Sequence, residues 1–177
     1  MMQRNNGASD GQNAAVMKRV AVIGCPSGGK STFARRLQQI TGLPLVHLDN
    51  VWWKPDRTHI PREAFDAALE QILAEDEWIV DGNYSRTLEP RIRACDTVVF
   101  LDYDEQTCID GLNERLGRAR PDMPWTEDTL DPELVALVKR FRTEERPTTC
   151  AILERYADRR ILIFHTRAEA DRWLDRI

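Results

Sequence analysis

Gly24-Cys25-Pro26-Ser27-Gly28-Gly29-Lys30-Ser31 is the stretch from which the rest of the chain is read. It fits G-x-x-x-x-G-K-S/T, a loop whose backbone amides wrap phosphate groups. Glycines permit left-handed backbone and close approach to a ligand. Successive N–H groups then turn inward as an anion nest. Lys30 is placed to reach β- and γ-phosphates, and Ser31 to offer its hydroxyl to Mg²⁺. A helix beginning here points its positive dipole end at the same phosphates. Both flanks agree. Arg19-Val20-Ala21-Val22-Ile23 is the apolar run expected of a strand buried on both faces. Phe33, Leu37 and Ile40 recur at i, i+4 and i+7, as on an amphipathic helix. Strand, loop and helix stand in the required order. Gly24, Ser27, Gly28, Gly29, Lys30, Ser31 and Thr32 are therefore the expected ATP-binding residues.

Downstream, strands and helices alternate. Pro44 to Asp49 reads as a second strand with Asp49 at its C-terminal end, followed by an irregular aromatic stretch, 50–61, containing Trp52 and Trp53. A helix from Arg62 carries Phe65, Ala68, Leu69, Ile72 and Leu73 on one face. Trp78-Ile79-Val80 is a third strand closed by Asp81, and a basic stretch with Arg86, Arg91 and Arg93 follows. Thr97 to Leu101 is a fourth strand, ending at Asp102. A helix over 107–120 carries Arg115, Arg118 and Arg120 near its end and is broken by Pro121 and Pro124. Another helix runs from about Asp131 until Pro147 stops it. A short helix over 151–156, a fifth strand over 160–164 and a last helix complete the chain. The alternation predicts an α/β fold with a parallel sheet covered on both faces. Residues 17–177 are expected to form one domain, and the polar stretch 1–16 a disordered tail.

The 177 residues carry a net charge of −4, against the basic excess of sequence-independent nucleic-acid binders. No apolar run is long enough for a membrane span. The four cysteines have no C-x-x-C spacing, which favours reduced thiols and a cytoplasmic location over a disulfide framework or zinc site.

Phosphoryl transfer needs charge neutralisation and positioning more than covalent chemistry. Three carboxylates end strands. Asp81 follows three apolar residues and suits Mg²⁺ held through water; Asp49 suits an acceptor hydroxyl; Asp102 reads as a solvated strand end. Arg86 and Arg91 are candidates for an acceptor clamp, and Arg115, Arg118 and Arg120 for the donor phosphates, because guanidinium binds phosphate through two bonds at once. Ion-paired helix faces are the plainer alternative. Trp53 and Tyr84 are candidate acceptor-pocket residues. His47, His59 and His165 are isolated in sequence and carry no chemistry of their own.

Several blocks together resemble the topology modulation proteins, small P-loop ATPases similar to adenylate kinases. They are Val22 to Thr32, His47-Leu48-Asp49 with Trp53, Trp78 to Tyr84, Arg91, Ala94-Cys95-Asp96, Leu101-Asp102 and Arg120-Pro121-Asp122-Met123. The resemblance implies a five-stranded parallel sheet in order 2-3-1-4-5, ATP and Mg²⁺ binding at the loop, and a lid over about 107–130. It also implies that Asp81 closes the third strand as in such kinases and that Arg86 faces an acceptor phosphate. The chain departs from the family in the Ser27-Gly28 order and in Gly111, which stands where a lid arginine is usual. The expected activity is a small-molecule kinase using ATP and Mg²⁺, with a nucleoside- or nucleotide-like acceptor. Lys30, Asp49, Asp81, Arg86, Arg115 and Arg120 are its expected catalytic groups. A nucleotide-dependent switch with slow hydrolysis, linked to DNA topology as the family's label suggests, is the alternative.

Overall fold

The computed structural model describes residues 17–177; the stretch 1–16 lies outside the described residues. Strand β1 (Arg19–Gly24) sits at the centre of a five-stranded parallel sheet. Val20, Ala21, Val22 and Ile23 are all fully buried, which explains their uninterrupted apolar run. β1 pairs with β3 (Trp78–Asp81) on one side and β4 (Thr97–Leu101) on the other. β2 (Leu45–His47) and β5 (Arg160–Phe164) form the edges, giving the order β2-β3-β1-β4-β5. In such a sheet, ligands bind beyond the carboxyl ends of the strands. That edge collects the phosphate loop, Asp49, Asp81 and Asp102.

Helix α1 (Lys30–Thr41) follows the loop and buries Phe33, Ala34 and Leu37. Phe33 stacks on Trp173 of α8 (Arg167–Leu174), with ring centroids 6.0 Å apart. Gly42 ends α1 in the left-handed conformation and returns its N–H to the Gln38 carbonyl. α3 (Arg62–Ala74) buries Phe65 and Leu69, as its periodicity predicts.

Several expectations are corrected. β2 stops at His47, and Leu48–Trp52 forms a short helix, α2, that seats Leu48 in the core and puts Asp49 in its first turn. An unanticipated helix, α4 (Leu88–Ala94), occupies the basic stretch. The helix expected over 107–120 is α5 (Glu105–Glu114), entered through the Asp104 carboxylate, which accepts from the Thr107 N–H. It ends because Gly117 turns left-handed and gives its N–H to the Glu127 carbonyl, so Arg115, Arg118 and Arg120 lie in a loop. Pro147 does not stop a helix. α6 (Pro132–Arg140) passes through a wide π turn (Phe141–Glu145) into α7 (Arg146–Arg155). Pro147 lies in the first turn of α7, where a missing N–H costs little.

Asp102 is not a solvated strand end. It is buried, and Arg146 Nε and Nη2 each donate to it at 2.7 Å. Arg142 Nη1 donates to the Tyr103 carbonyl at 3.3 Å, so the bent α6–α7 arm is tied to the end of β4 at two points. All four cysteines are free. Among the described residues no helix is long and apolar enough to cross a membrane.

Candidate active site

One cleft of about 1210 Å³ opens above the carboxyl edge of the sheet. That is room for more than one drug-sized ligand. Its floor is the phosphate loop. Ser27 and Gly29 both adopt positive φ, at 60° and 82°, and turn the loop around the N-terminus of α1. First-turn amides of a helix have no carbonyl four residues back to bond, and no side chain caps this end. Ser27 Oγ is buried with no hydrogen-bond partner. A buried hydroxyl of this kind inside an amide nest fits a phosphate oxygen. Lys30 Nζ donates to the Cys25 carbonyl at 2.9 Å. Desolvation lowers the pKa of that ammonium, opposed by the charges of Cys25, Asp49 and Asp81. The cation and the two carboxylates thus share one electrostatic space.

Gly111 is explained by this loop. A Cβ built there would lie 2.2 Å from the Ser27 carbonyl oxygen and 3.1 Å from Arg167 Nη2. No side chain fits where α5 packs on the loop. The basic group next to this point is instead Arg167, which also lines the cleft, held by the Glu114 carboxylate at 2.9 Å and the Thr107 carbonyl at 3.3 Å.

Opposite the loop, Tyr84 Oη donates to Asp49 Oδ1 at 2.8 Å. Burial raises the pKa of Asp49, with the Tyr84 hydrogen bond and Lys30 pulling the other way. Burial and the neighbouring Asp49 push the Tyr84 phenol up, so it stays a donor. Asp81 is buried, and His47 Nδ1 lies 2.6 Å from its Oδ1. His47 is desolvated, but the hydrogen bond and charge of Asp81 outweigh this and raise its pKa. The pairing follows from strand register: His47 and Asp81 are Cα partners in the β2–β3 ladder. His47 looked isolated because its partner is remote in sequence. Placing the second strand beside the third is the signal that brings the two together.

The predicted arginines separate. Arg115 and Arg120 reach the cleft and bracket one carboxylate: Arg115 Nη2 lies 2.7 Å and Arg120 Nη2 3.3 Å from the two Glu127 oxygens, and Arg120 Nη1 bonds Asp122 at 3.2 Å. Arg118 lines the cleft at its exposed rim. Arg86 does not enter. It forms a two-bonded pair with Asp66 of α3, at 2.8 and 2.6 Å, half exposed and outside the cleft. Arg91 does not enter either. It is fully buried, and its guanidinium donates to the carbonyls of Thr87, Gly82 and Tyr84 at 3.2, 2.8 and 3.0 Å. Burial lowers its pKa to about 10. Its task is to peg the loop that presents Tyr84.

Trp53 lines the cleft and meets Trp125 edge-on, with centroids 5.5 Å apart. Trp52 faces the interior, stacked on His59 at 4.3 Å and edge-on to Phe65 at 5.4 Å. Asn50 Nδ2 donates to the Pro121 carbonyl at 2.8 Å, tying α2 to the segment that carries Arg120 and Trp125. Trp125, Asp122, Glu127 and Arg167 were missed as site residues. They lie in or beyond a proline-broken stretch with no periodicity to place them.

No protein-family model matches the chain, and no curated protein matches it. Solved structures do. A shikimate kinase from Bacteroides thetaiotaomicron superposes with a TM-score of 0.61 at 16% identity, covering 91% of this chain and 96% of that one. The fold is that of the small P-loop kinases. A shikimate kinase from Acinetobacter baumannii in complex with shikimate gives 0.59 at 13% identity, covering 93% of each chain. A gluconokinase from Sinorhizobium meliloti 1021 gives 0.53 at 17% identity, covering 89% of each. At these identities the likeness to P-loop kinases is one of architecture. The sequence blocks shared with topology modulation proteins stand as a resemblance without a matching family model.

Proposed function

We propose that this protein is an ATP-dependent small-molecule kinase that transfers the γ-phosphoryl group of ATP to an acceptor hydroxyl. The observation that carries the reading is that the phosphate loop and the Asp49–Tyr84 pair open into one cleft. A nucleotide switch needs the first of these and has no use for the second. In the reaction, the acceptor oxygen forms the new bond to the γ-phosphorus. The bond from that phosphorus to the β–γ bridging oxygen breaks, and ADP leaves with the electron pair. The hydroxyl proton passes to Asp49, which Tyr84 orients. Gly24 to Thr32 hold the triphosphate. Arg118 and Arg167 line the cleft as the more exposed cations available to the donor phosphates, while Arg115 and Arg120 are held by Glu127 and Asp122 at its wall.

Mg²⁺ fits the residues present. Mg²⁺ binds through one or two protein oxygens with waters and substrate phosphates. The Ser31 hydroxyl and the Asp81 carboxylate both line the cleft and supply that kind of donor. When bound, it would neutralise negative charge on the phosphates. His47 holds Asp81 in place through the 2.6 Å contact. The segment 115–131 acts as the lid, excluding water so that transfer outpaces hydrolysis.

The test is ADP production by purified protein with ATP and Mg²⁺ across a panel of hydroxylated acceptors. A rate that rises and saturates with one acceptor supports the reading. A slow rate indifferent to every acceptor replaces it with a nucleotide switch.

A further inference from the structure

The charges around the acceptor half of the cleft narrow what can be phosphorylated there. An acceptor carrying a phosphate or carboxylate needs a cation to hold it. Arg86 is spent on Asp66 outside the cleft, and Arg91 is buried beneath three carbonyls. Arg115 and Arg120 do reach the cleft, but each is already matched to a carboxylate. The four side chains of that network are only 5–20% exposed. An anionic acceptor could take those guanidiniums only by stripping them from Glu127 and Asp122. Removing one partner of a shielded ion pair leaves an uncompensated charge, which is strongly unfavourable. Asp49 and Asp81 add further negative charge on the floor. Arg35 also lines the cleft, but from α1, where it donates to the Ser31 carbonyl and the Thr32 hydroxyl on the nucleotide side. Arg57 and Arg118 stand at the exposed rim, with Arg57 over the Trp125 ring at 5.9 Å from its centroid. Water and salt screen charges placed there.

What this half offers instead is amphipathic. Asp49 accepts hydrogen bonds and so selects hydroxyl donors. Trp53 and Trp125 present aromatic surface beside it. A pocket of apolar walls with a few placed polar groups suits a ligand that has an apolar face and a polar edge.

Resting on the kinase reading, we infer that the acceptor is an uncharged, polyhydroxylated ring compound, a sugar or the sugar of a nucleoside. One hydroxyl faces Asp49, and the C–H face of the ring lies against Trp53 and Trp125. Asp49 and Asp81 do not make this a cation site, since Lys30 shares their electrostatic space and His47 Nδ1 already pairs with Asp81.

The experiment measures ADP release at fixed ATP and Mg²⁺ with acceptors matched in skeleton and differing in charge. One set is glucose, gluconate, glucosamine and glucose 6-phosphate; ribose with ribose 5-phosphate, and thymidine with its 5′-monophosphate, extend it. The neutral member of at least one set should be phosphorylated with kcat/KM about 100-fold above its charged partners. Which set responds separates a free sugar from a nucleoside. Glu127→Gln, which frees Arg115 and leaves Arg120 only its Asp122 partner, should narrow that ratio about tenfold toward the anionic partner, with folding checked by melting. A wild-type preference for a charged member overturns this inference and leaves the kinase reading intact. Silence from every set, with ATP still stabilising the protein, overturns both.

Discussion

Gly111→Ala is the sharpest probe of how the nucleotide loop is supported. The added methyl would lie 2.2 Å from the Ser27 carbonyl oxygen and 3.3 Å from its carbon, whereas real Cβ contacts essentially never fall below 3.0 Å. The obstacle is backbone, so either α5 or the loop must retreat by about 1 Å. Overpacking of this kind costs roughly 1–3 kcal/mol. Alanine in place of glycine inside a helix returns about 1 kcal/mol. The ligand-free protein should therefore lose roughly 0–2 kcal/mol, a fall in Tm of about 2–4 °C for each kcal/mol. The loop should lose more. Displacing a positioned group by about 1 Å can cost about 100-fold in function. A 100-fold weaker Kd removes about 2.7 kcal/mol of stabilisation at saturating ATP. Differential scanning fluorimetry across an ATP titration reads both quantities from one sample. Helix propensity alone predicts the opposite: a higher Tm without ligand and an unchanged ATP shift. That pair of results would refute the claim that α5 buttresses the loop through Gly111.

Four further outcomes are expected. Lys30→Ala should abolish the ATP-dependent rise in Tm, and an unchanged rise would place the triphosphate elsewhere. Arg91→Met removes the guanidinium from the Gly82, Thr87 and Tyr84 carbonyls, of which that of Tyr84 keeps the Thr87 N–H and hydroxyl, and should destabilise the fold by about 1–3 kcal/mol in urea unfolding; near-wild-type stability would remove Arg91 from the support of Tyr84. Arg86→Ala should leave kcat/KM nearly unchanged, because its guanidinium is paired with Asp66 outside the cleft; a tenfold loss would bring Arg86 back into the site. Burial holds the Asp49 pKa above the ordinary carboxylate range, so the acid limb of kcat/KM should lie above about pH 4. The folded state binds that proton more readily than the unfolded chain, so protonating Asp49 does not itself destabilise the fold, and activity should fall before the protein unfolds. A limb within the ordinary carboxylate range would exclude Asp49 as the base.

The sheet was legible because its central strands are buried on both faces. Val20 to Ile23 and Val98 to Leu101 could only be apolar, and each ends at a residue that marks the ligand edge. The phosphate loop was legible for a local reason: its geometry is set by consecutive residues. The acceptor side was not, because its order comes from distant pairings. Arg86 and Arg115 look alike in sequence. Asp66 draws one out onto the surface of α3, while Glu127 holds the other over the cleft. Pro147 misled for a related reason: a proline in a first turn and one that terminates a helix differ only in what precedes them. Here a π turn supplies the extra room.

The bent arm formed by α6 and α7 has a mechanical consequence. Arg146 and Arg142 fasten it to Asp102 and Tyr103, while Arg167 staples the outgoing α5 through Glu114 and Thr107. The excursion that carries Arg118, Arg120 and Trp125 therefore leaves from a helix stapled to α8 and returns to an arm tied to the end of β4. A swing of that excursion would pivot between Glu114 and Pro132, where Gly117 holds the left-handed turn that starts it. Such a flap can open and shut while the nucleotide cradle stays still, so substitutions confined to it could retune access and turnover without loosening the grip on ATP.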